Sequence, residues 1–165
     1  MTLSGSPSPI DSRGPRFAAA VSTVVLTAVL VTSSTLLIAA QAVVFALGAF
    51  AGLRWHPYGA LYRTLIAPRL APPTEREDPA PVRFSQGLGF AFAAVGVLGY
   101  ATGLSALGMT ATALALGAAF LNAAFGFCLG CEIYLRLPAR LRSRATFAPV
   151  NTPNSTSNTE RGAAA

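Results

Sequence analysis

The chain has 165 residues, 53% of them hydrophobic and only 11% charged, with a mean hydropathy of +0.54. A soluble domain carries roughly 25% charged residues, so the composition excludes an ordinary water-soluble fold. The net charge of +6 has the right sign for nucleic acid, but the placement of the basic residues answers to membrane topology, and no nucleic-acid partner is expected.

Residues 17–53 and 84–131 contain no Asp, Glu, Lys or Arg. About 20 apolar residues, each rising ~1.5 Å, cross a ~30 Å hydrocarbon core. Each block is too long for one crossing and suits two. The expected fold is all-α, an integral membrane bundle of four transmembrane helices in two hairpins. The spans fall at about 17–31, 36–53, 84–103 and 109–135, within a membrane domain 16–137.

All 12 basic residues are Arg. Arg13 and Arg16 precede the first hairpin; Arg54, Arg63, Arg69, Arg76 and Arg83 lie in the connecting loop 54–83; Arg136, Arg140, Arg142, Arg144 and Arg161 follow the second. The turns expected near Thr32–Thr35 and Leu104–Thr110 carry no charge. Arginine accumulates on the cytoplasmic side, so the reading is a multi-pass protein of the cell membrane with both termini and the loop cytoplasmic. A signal peptide cleaved near Ala40-Gln41-Ala42 is the rival reading. Its apolar stretch is longer than the usual ~7–15 residues, and cleavage would strand residues 43–53 as a fragment too short to span.

Residues 1–15, rich in Ser, Pro and Gly, are expected to be a disordered tail. Trp55, Tyr58 and Tyr62 suit an interfacial aromatic belt. Tyr58, Leu61, Tyr62 and Leu65 recur at helical spacing and predict a short helix in the headgroup region, stopped by Pro68, Pro72 and Pro73. Glu75, Glu77 and Asp78 form an acidic loop, counterions for Arg13, Arg16, Arg76 and Arg83. His56, the lone histidine, reads as a solvated loop residue, and Gln41 and Gln86 as bonds between neighbouring helices.

Three small-x-x-x-small pairs, Gly48/Gly52, Gly99/Gly103 and Gly126/Gly130, suggest close helix packing in lipid. The similar entries Pro15-Arg16-Phe17 and Pro81-Val82-Arg83-Phe84 leave an internal duplication open. Asn122, in the middle of the last span, needs a hydrogen bond within the bundle, for packing or for a polar contact to substrate. Residues 138–165 are polar and expected to be disordered.

The chemistry concentrates in Phe127-Cys128-Leu129-Gly130-Cys131-Glu132, which holds both cysteines of the chain. Residues at i and i+3 share a helix face, within the ~4.4–6.8 Å Cα separation a disulfide needs. If the last span runs unbroken to residue 135, the pair lies near a helix C-terminus, where the dipole opposes a thiolate. A break at Gly126 or Gly130 would instead put Cys128 at the start of a new turn, and Arg136 or Arg140 could fold over the sulfurs. Three readings stay open: redox or sulfur chemistry with Glu132 as proton acceptor, close packing by two small apolar residues, or half of a zinc or iron–sulfur site completed by a dimer or by other ligands. No phosphate loop, catalytic triad or histidine ligand set is present, and no cofactor is expected.

The functional expectation is a thiol-redox or sulfur-relay component, in enzymatic terms a thiol–disulfide oxidoreductase or a sulfur-handling partner. The alternative is a transport or anchoring subunit without redox chemistry of its own. Neither substrate nor oligomeric state can be read from the residues.

The segments Asp11-x-Arg13-Gly14-Pro15-Arg16-Phe17, Pro72-Pro73-Thr74-Glu75-x-Glu77-Asp78, Arg83-Phe84-x-Gln86 and Leu121-Asn122-Ala123-Ala124-Phe125-Gly126-Phe127-Cys128-Leu129-Gly130-Cys131-Glu132-x-Tyr134 resemble the bacterial membrane family called domain of unknown function 4395. The likeness covers roughly Ile10 to Leu137. It implies a small multi-span protein of actinobacterial type without assigned activity. It also implies an association with thioredoxin-like proteins and sulfurtransferases, which favours thiol or sulfur handling over metal binding.

Overall fold

Helix α1 (Arg13–Thr32) and helix α2 (Thr35–Ala46) form the first hairpin, in a computed structural model that describes residues 10–73 and 76–138. Of the tails expected at 1–15 and 138–165, residues 1–9 and 139–165, with Arg140, Arg142, Arg144 and Arg161, lie outside the described residues, as does the counterion Glu75. Residues 10–15 are not a disordered tail but hold a strand, Ile10–Asp11, and the start of α1. The turn falls in the Thr-Ser-Ser-Thr cluster, as expected, because its polar groups cap both helices. Ser33 adopts a left-handed conformation with its N–H on Val29 O at 2.7 Å. The Ser34 hydroxyl accepts from the Leu37 N–H at 3.3 Å.

Helix α2 widens into a π turn, Leu47–Ala51, which Gly52 ends with φ of 99°. After it come the short helix α3 (Pro57–Leu61), a π turn Tyr62–Ile66 and a 3-10 turn Ala67–Arg69, so a short helical segment stands in the loop as expected. Its orientation differs from the interfacial reading. Tyr58 and Tyr62 turn into the protein, whereas Leu61, Leu65 and Trp55 stay exposed. Tyr62 is buried because its hydroxyl donates to Asp11 Oδ2 at 2.8 Å.

Strands β1 (Ile10–Asp11) and β2 (Arg76–Glu77) pair antiparallel, Ile10 opposite Glu77 and Asp11 opposite Arg76. They occupy positions read as tail and acidic loop. Helix α4 (Pro79–Ala101) starts five residues before the expected span, because the Asp78 carboxylate caps it by accepting from the Ala80 N–H at 2.9 Å and Pro79 fits the first turn.

Helix α5 (Ser105–Phe125) follows after the turn 102–104, so most of the expected second turn, Leu104–Thr110, is helical. The helix expected over 109–135 is two helices: α5 stops before Gly126, and α6 (Leu129–Arg136) begins after Cys128.

Around the bundle the order is α1–α5–α4–α2, with α6 laid on α4. Leu26 and Val29 of α1, Ile38 and Phe45 of α2, Ala93 of α4 and Ala115 of α5 make the core. Val31, Leu36, Val43, Leu98, Phe120 and Phe125 are exposed on the outside, the apolar surface that lipid rather than water would cover. Helices α1, α4 and α5 are each long and apolar enough to cross a membrane. The fourth apolar stretch, Thr35–Ala51, is shorter, about 25 Å of helix.

Gln41, almost fully buried, donates to Ser22 Oγ at 3.2 Å and accepts from the Tyr58 hydroxyl at 2.9 Å, tying α1, α2 and α3 together. The glycine pairs divide their labour. Gly48, Gly99 and Gly130 sit at close approaches; a methyl on Gly99 would lie 2.7 Å from Gly108 Cα. Gly52, Gly103 and Gly126 have positive φ and end helices. The pairs therefore work as one contact and one stop each, a different role from two-glycine helix interfaces.

Candidate functional site

Residue by residue, the break between α5 and α6 builds the cysteine site. Gly126, with φ of 69°, reverses the chain, and its N–H reaches Asn122 O at 3.0 Å while the Phe127 N–H reaches Leu121 O at 3.3 Å. Cys128 is then extended and becomes the N-cap of α6, its Sγ accepting from the Cys131 N–H at 3.3 Å. A disulfide joins Cys128 to Cys131, with Cα atoms 5.2 Å apart. The pair thus lies at a helix N-terminus, not at the C-terminus that an unbroken span would give.

Ser85 of α4 supports the sulfurs from the other side, its hydroxyl 3.4 Å from Cys128 Sγ. A disulfide sulfur carries no proton, so the hydroxyl is the donor. Gly130 makes this contact possible: a methyl there would lie 2.8 Å from the Cα, Cβ and Oγ of Ser85. Rings of Phe84 and Tyr134, 5.5 Å apart, add a second fastening between α4 and α6.

The cation near the site is Arg16, which the sequence reading passed over. A methyl built on Gly126 would be 3.5 Å from Arg16 Cζ, so the guanidinium covers the α5–α6 break. Its position at the hairpin entry Pro15-Arg16-Phe17 was the only signal. Arg136 is instead paired with Glu132 at 2.9 Å, an exposed i,i+4 bridge, and Arg140 lies outside the described residues. Glu132 stands in the first turn of α6, next to Cys131, with its carboxylate on Arg136.

Asn122 joins Ser85, Gln86, Cys128 and Cys131 in the wall of a cavity of about 150 Å³ that runs on into the bundle past Phe45, Phe92, Leu114 and Ala115. Both sulfur-bearing residues are half-buried. Among the described residues no group of three His, Cys, Asp or Glu side chains could hold a metal ion, so the half-site reading finds no third ligand there.

Chemically, an N-terminal helix position favours negative charge, and a cysteine held there has its thiolate stabilised. In the reduced state Cys128 has three such aids: the helix end, the Cys131 N–H and the Ser85 hydroxyl. Cys131, one turn further in, lacks the capping position. The two sulfurs thus differ in position: Cys128 caps α6 and Cys131 lies inside its first turn.

Residues 10–138 match the family model described as Domain of unknown function (DUF4395). The chain belongs to this family. The matched stretch takes in both hairpins, the β pairing and the cysteine helix. No curated protein and no solved structure matches the chain.

In this DUF4395 protein a second cavity, of about 290 Å³, adjoins the first and shares Pro15, Val82 and Gln86 with it; Asp11, His56, Tyr62 and Arg63 are among its other walls. His56 is not the solvated loop residue expected from the sequence but is 2% exposed. Its Nδ1 accepts from the Gly59 N–H at 3.2 Å and caps α3, which leaves the proton on Nε2. Burial pushes its pKa down to about 4; a Gln86 interaction opposes the fall and the Arg63 charge adds to it. His56 Nε2 and Gln86 Oε1 nonetheless lack a hydrogen bond of good geometry, so the Gln86 interaction is a weak one. Gln86 thus bonds no neighbouring helix through its carbonyl, unlike Gln41.

Proposed function

We propose that this protein is a four-span membrane component of thiol-redox or sulfur-relay chemistry, working through Cys128 and Cys131 at the charged end of the bundle. One observation carries the reading: Cys128 caps α6 while bonded to Cys131. A structural pair of small residues would need neither a helix N-terminus nor a hydroxyl donor beside the sulfur.

The starts of α1 and α4, the ends of α2 and α5, and α6 share one end, and every described charged residue lies there or in the segments joining there. By the positive-inside rule that end is cytoplasmic, with four spans and both termini on that side; α2 with its π turn is the shortest crossing. Disulfides of cytosolic proteins are mostly transient and catalytic or redox-sensing. A bridge facing the cytoplasm is therefore a working state of the pair.

In the exchange, the Cys128 thiolate attacks a partner disulfide, forming a mixed disulfide and releasing one partner thiolate. Cys131 then loses its proton, with Glu132 as acceptor, and attacks Cys128 Sγ; the second partner thiolate leaves and the Cys128–Cys131 bond closes. Two electrons pass to the partner, and the sequence runs equally in reverse. A soluble thioredoxin-like protein suits this step, and a sulfurtransferase would suit the related transfer of a persulfide sulfur. The exposed Arg54, Arg63 and Arg69 favour an acidic docking surface, and they also support the second reading, an anchoring or transport subunit.

Thiol trapping in intact membranes, with and without reductant, tests the proposal. Cys128 and Cys131 should shift together between alkylated and protected forms as a two-electron couple. If both remain unreactive in every redox buffer while partner binding survives Cys→Ser replacement, the anchoring reading stands instead.

A further inference from the structure

The cavity beside the disulfide is a mixed site. Its polar groups are Ser22, Glu77, Ser85, Gln86 and Asn122, joined there by the two cysteines, and its remaining wall includes Phe45, Phe92, Leu114, Ala115 and Ala118. Its volume, about 150 Å³, matches that of an apolar protein cavity known to accept one benzene ring. Leu114 and Leu129 line it while remaining 55% and 40% exposed, so the cavity touches the apolar outer surface as well as the sulfurs. Near the opposite turn α4 and α5 are tightly closed at Gly99 and Gly108; at the charged end α6 lies on α4, where α5 has already ended.

We propose that this cavity receives the ring of a lipid-soluble quinone, which takes two electrons from the reduced Cys128–Cys131 pair. The inference rests on the thiol-exchange reading above and supplies its oxidant. A water-soluble oxidant would gain little from walls of Phe, Leu and Ala, whereas a six-membered ring fills the space and its apolar tail stays in lipid. The two quinone carbonyls are acceptors, and the Gln86 and Asn122 amides are donors at the sulfur end, the Ser85 hydroxyl being given to Cys128 Sγ.

The chemistry balances. The Cys128 thiolate adds to a ring carbon, forming an S–C bond. Cys131 then attacks Cys128 Sγ, the S–S bond forms and the S–C bond breaks, and the ring leaves with the electron pair. The dithiol has lost two electrons and two protons, and the quinone has gained both as hydroquinone.

The test uses the full chain in nanodiscs, reduced and desalted, with a short-chain, fully ring-substituted benzoquinone as oxidant. Quinone absorbance and free thiols are followed together, and glutathione disulfide in parallel reactions serves as the reference oxidant. Expected are one quinone reduced per protein, a rate that saturates with quinone, and no reaction in Cys128→Ser. Ala118→Phe, which fills the cavity, should lower the quinone rate relative to the glutathione rate at least tenfold. Leu114→Trp, on the exposed wall, should act in the same direction should Ala118→Phe not fold. A pair that glutathione oxidises, but whose quinone rate is linear in concentration and indifferent to both variants, overturns the inference and leaves thiol exchange standing. A pair that neither oxidant moves overturns both.

Discussion

Gly130 meets Ser85 at the only distance that lets α6 rest on α4: a methyl at Gly130 would be 2.8 Å from three Ser85 atoms, one of them backbone. Gly130→Ala should therefore push the cysteine helix off its support. The expected cost is about 1–3 kcal/mol, typical of overpacking, read as a lower thermal midpoint in detergent. Faster reduction of the disulfide by a fixed concentration of dithiothreitol should accompany it. An unchanged midpoint and rate would show that α6 floats free of Ser85.

Cys128 and Cys131 should differ when studied singly. Cys131→Ser leaves the capping thiol, and its alkylation by iodoacetamide should be half-maximal below the usual free-cysteine value of about 8.5. Cys128→Ser leaves the inner thiol, which should react at least several-fold more slowly at neutral pH. Adding Ser85→Ala to Cys131→Ser should move the alkylation profile upward in pH, because a donor to the thiolate is gone. Identical profiles for the two single variants would remove the distinction between attacking and resolving thiols.

Acid should destabilise the protein through His56. Its folded pKa, about 4, is below its ordinary 6.5, so the unfolded chain binds the proton first. The contribution is complete above about pH 6.5 and is lost as pH falls towards 4. At about 1.4 kcal/mol per pH unit this amounts to about 3 kcal/mol. Thermal midpoints measured from pH 7 to 4 should fall in wild type and flatten over that window in His56→Phe. A wild-type curve that is flat between 6.5 and 4 would show the ring to be solvated.

The Tyr62 hydroxyl to Asp11 bond, 2.8 Å long, holds the β1–β2 end against the loop. Tyr62→Phe should cost about 1.5–3 kcal/mol, as for bonds to a charged group, and expose Ile10–Ser12 to protease. Equal proteolysis of variant and wild type would contradict it.

Reporter fusions should resolve the orientation. A phosphatase fused after Arg144 should be inactive, and one inserted between Gly103 and Leu104 should be active. The reverse pattern would put the disulfide outside the cell and turn the proposed electron flow around.

Much of this was legible in the residues. The charge-free blocks announced paired apolar helices, and the polar Thr32–Thr35 cluster announced the first turn, where Ser33 takes a positive φ and the Ser34 hydroxyl caps α2. The second turn was misplaced because Thr102 and Gly103 carry no greater polarity than Thr110 and Thr112; only the positive φ of Gly103 separates them. Gly126 shows the same ambiguity, since spacing alone cannot tell a contact glycine from a stop glycine. His56 and Tyr62 look like surface residues in a loop of arginines and prolines. The burial of Tyr62 depends on Asp11, 51 residues away, and that of His56 on the close approach at Gly48, which no local pattern ties to it. Arg16 was hidden for the same reason, its neighbour Gly126 being 110 residues away.

Arg16 of the first helix lies against Gly126, Ser85 of the third long helix against Cys128, and α6 rests on α4. Those partners are 110 and 43 residues apart, so the surroundings of the disulfide assemble only once α1, α4 and α6 have all been made. A chain stopped ahead of α6 keeps the Ser85 ledge and has no helix to rest on it.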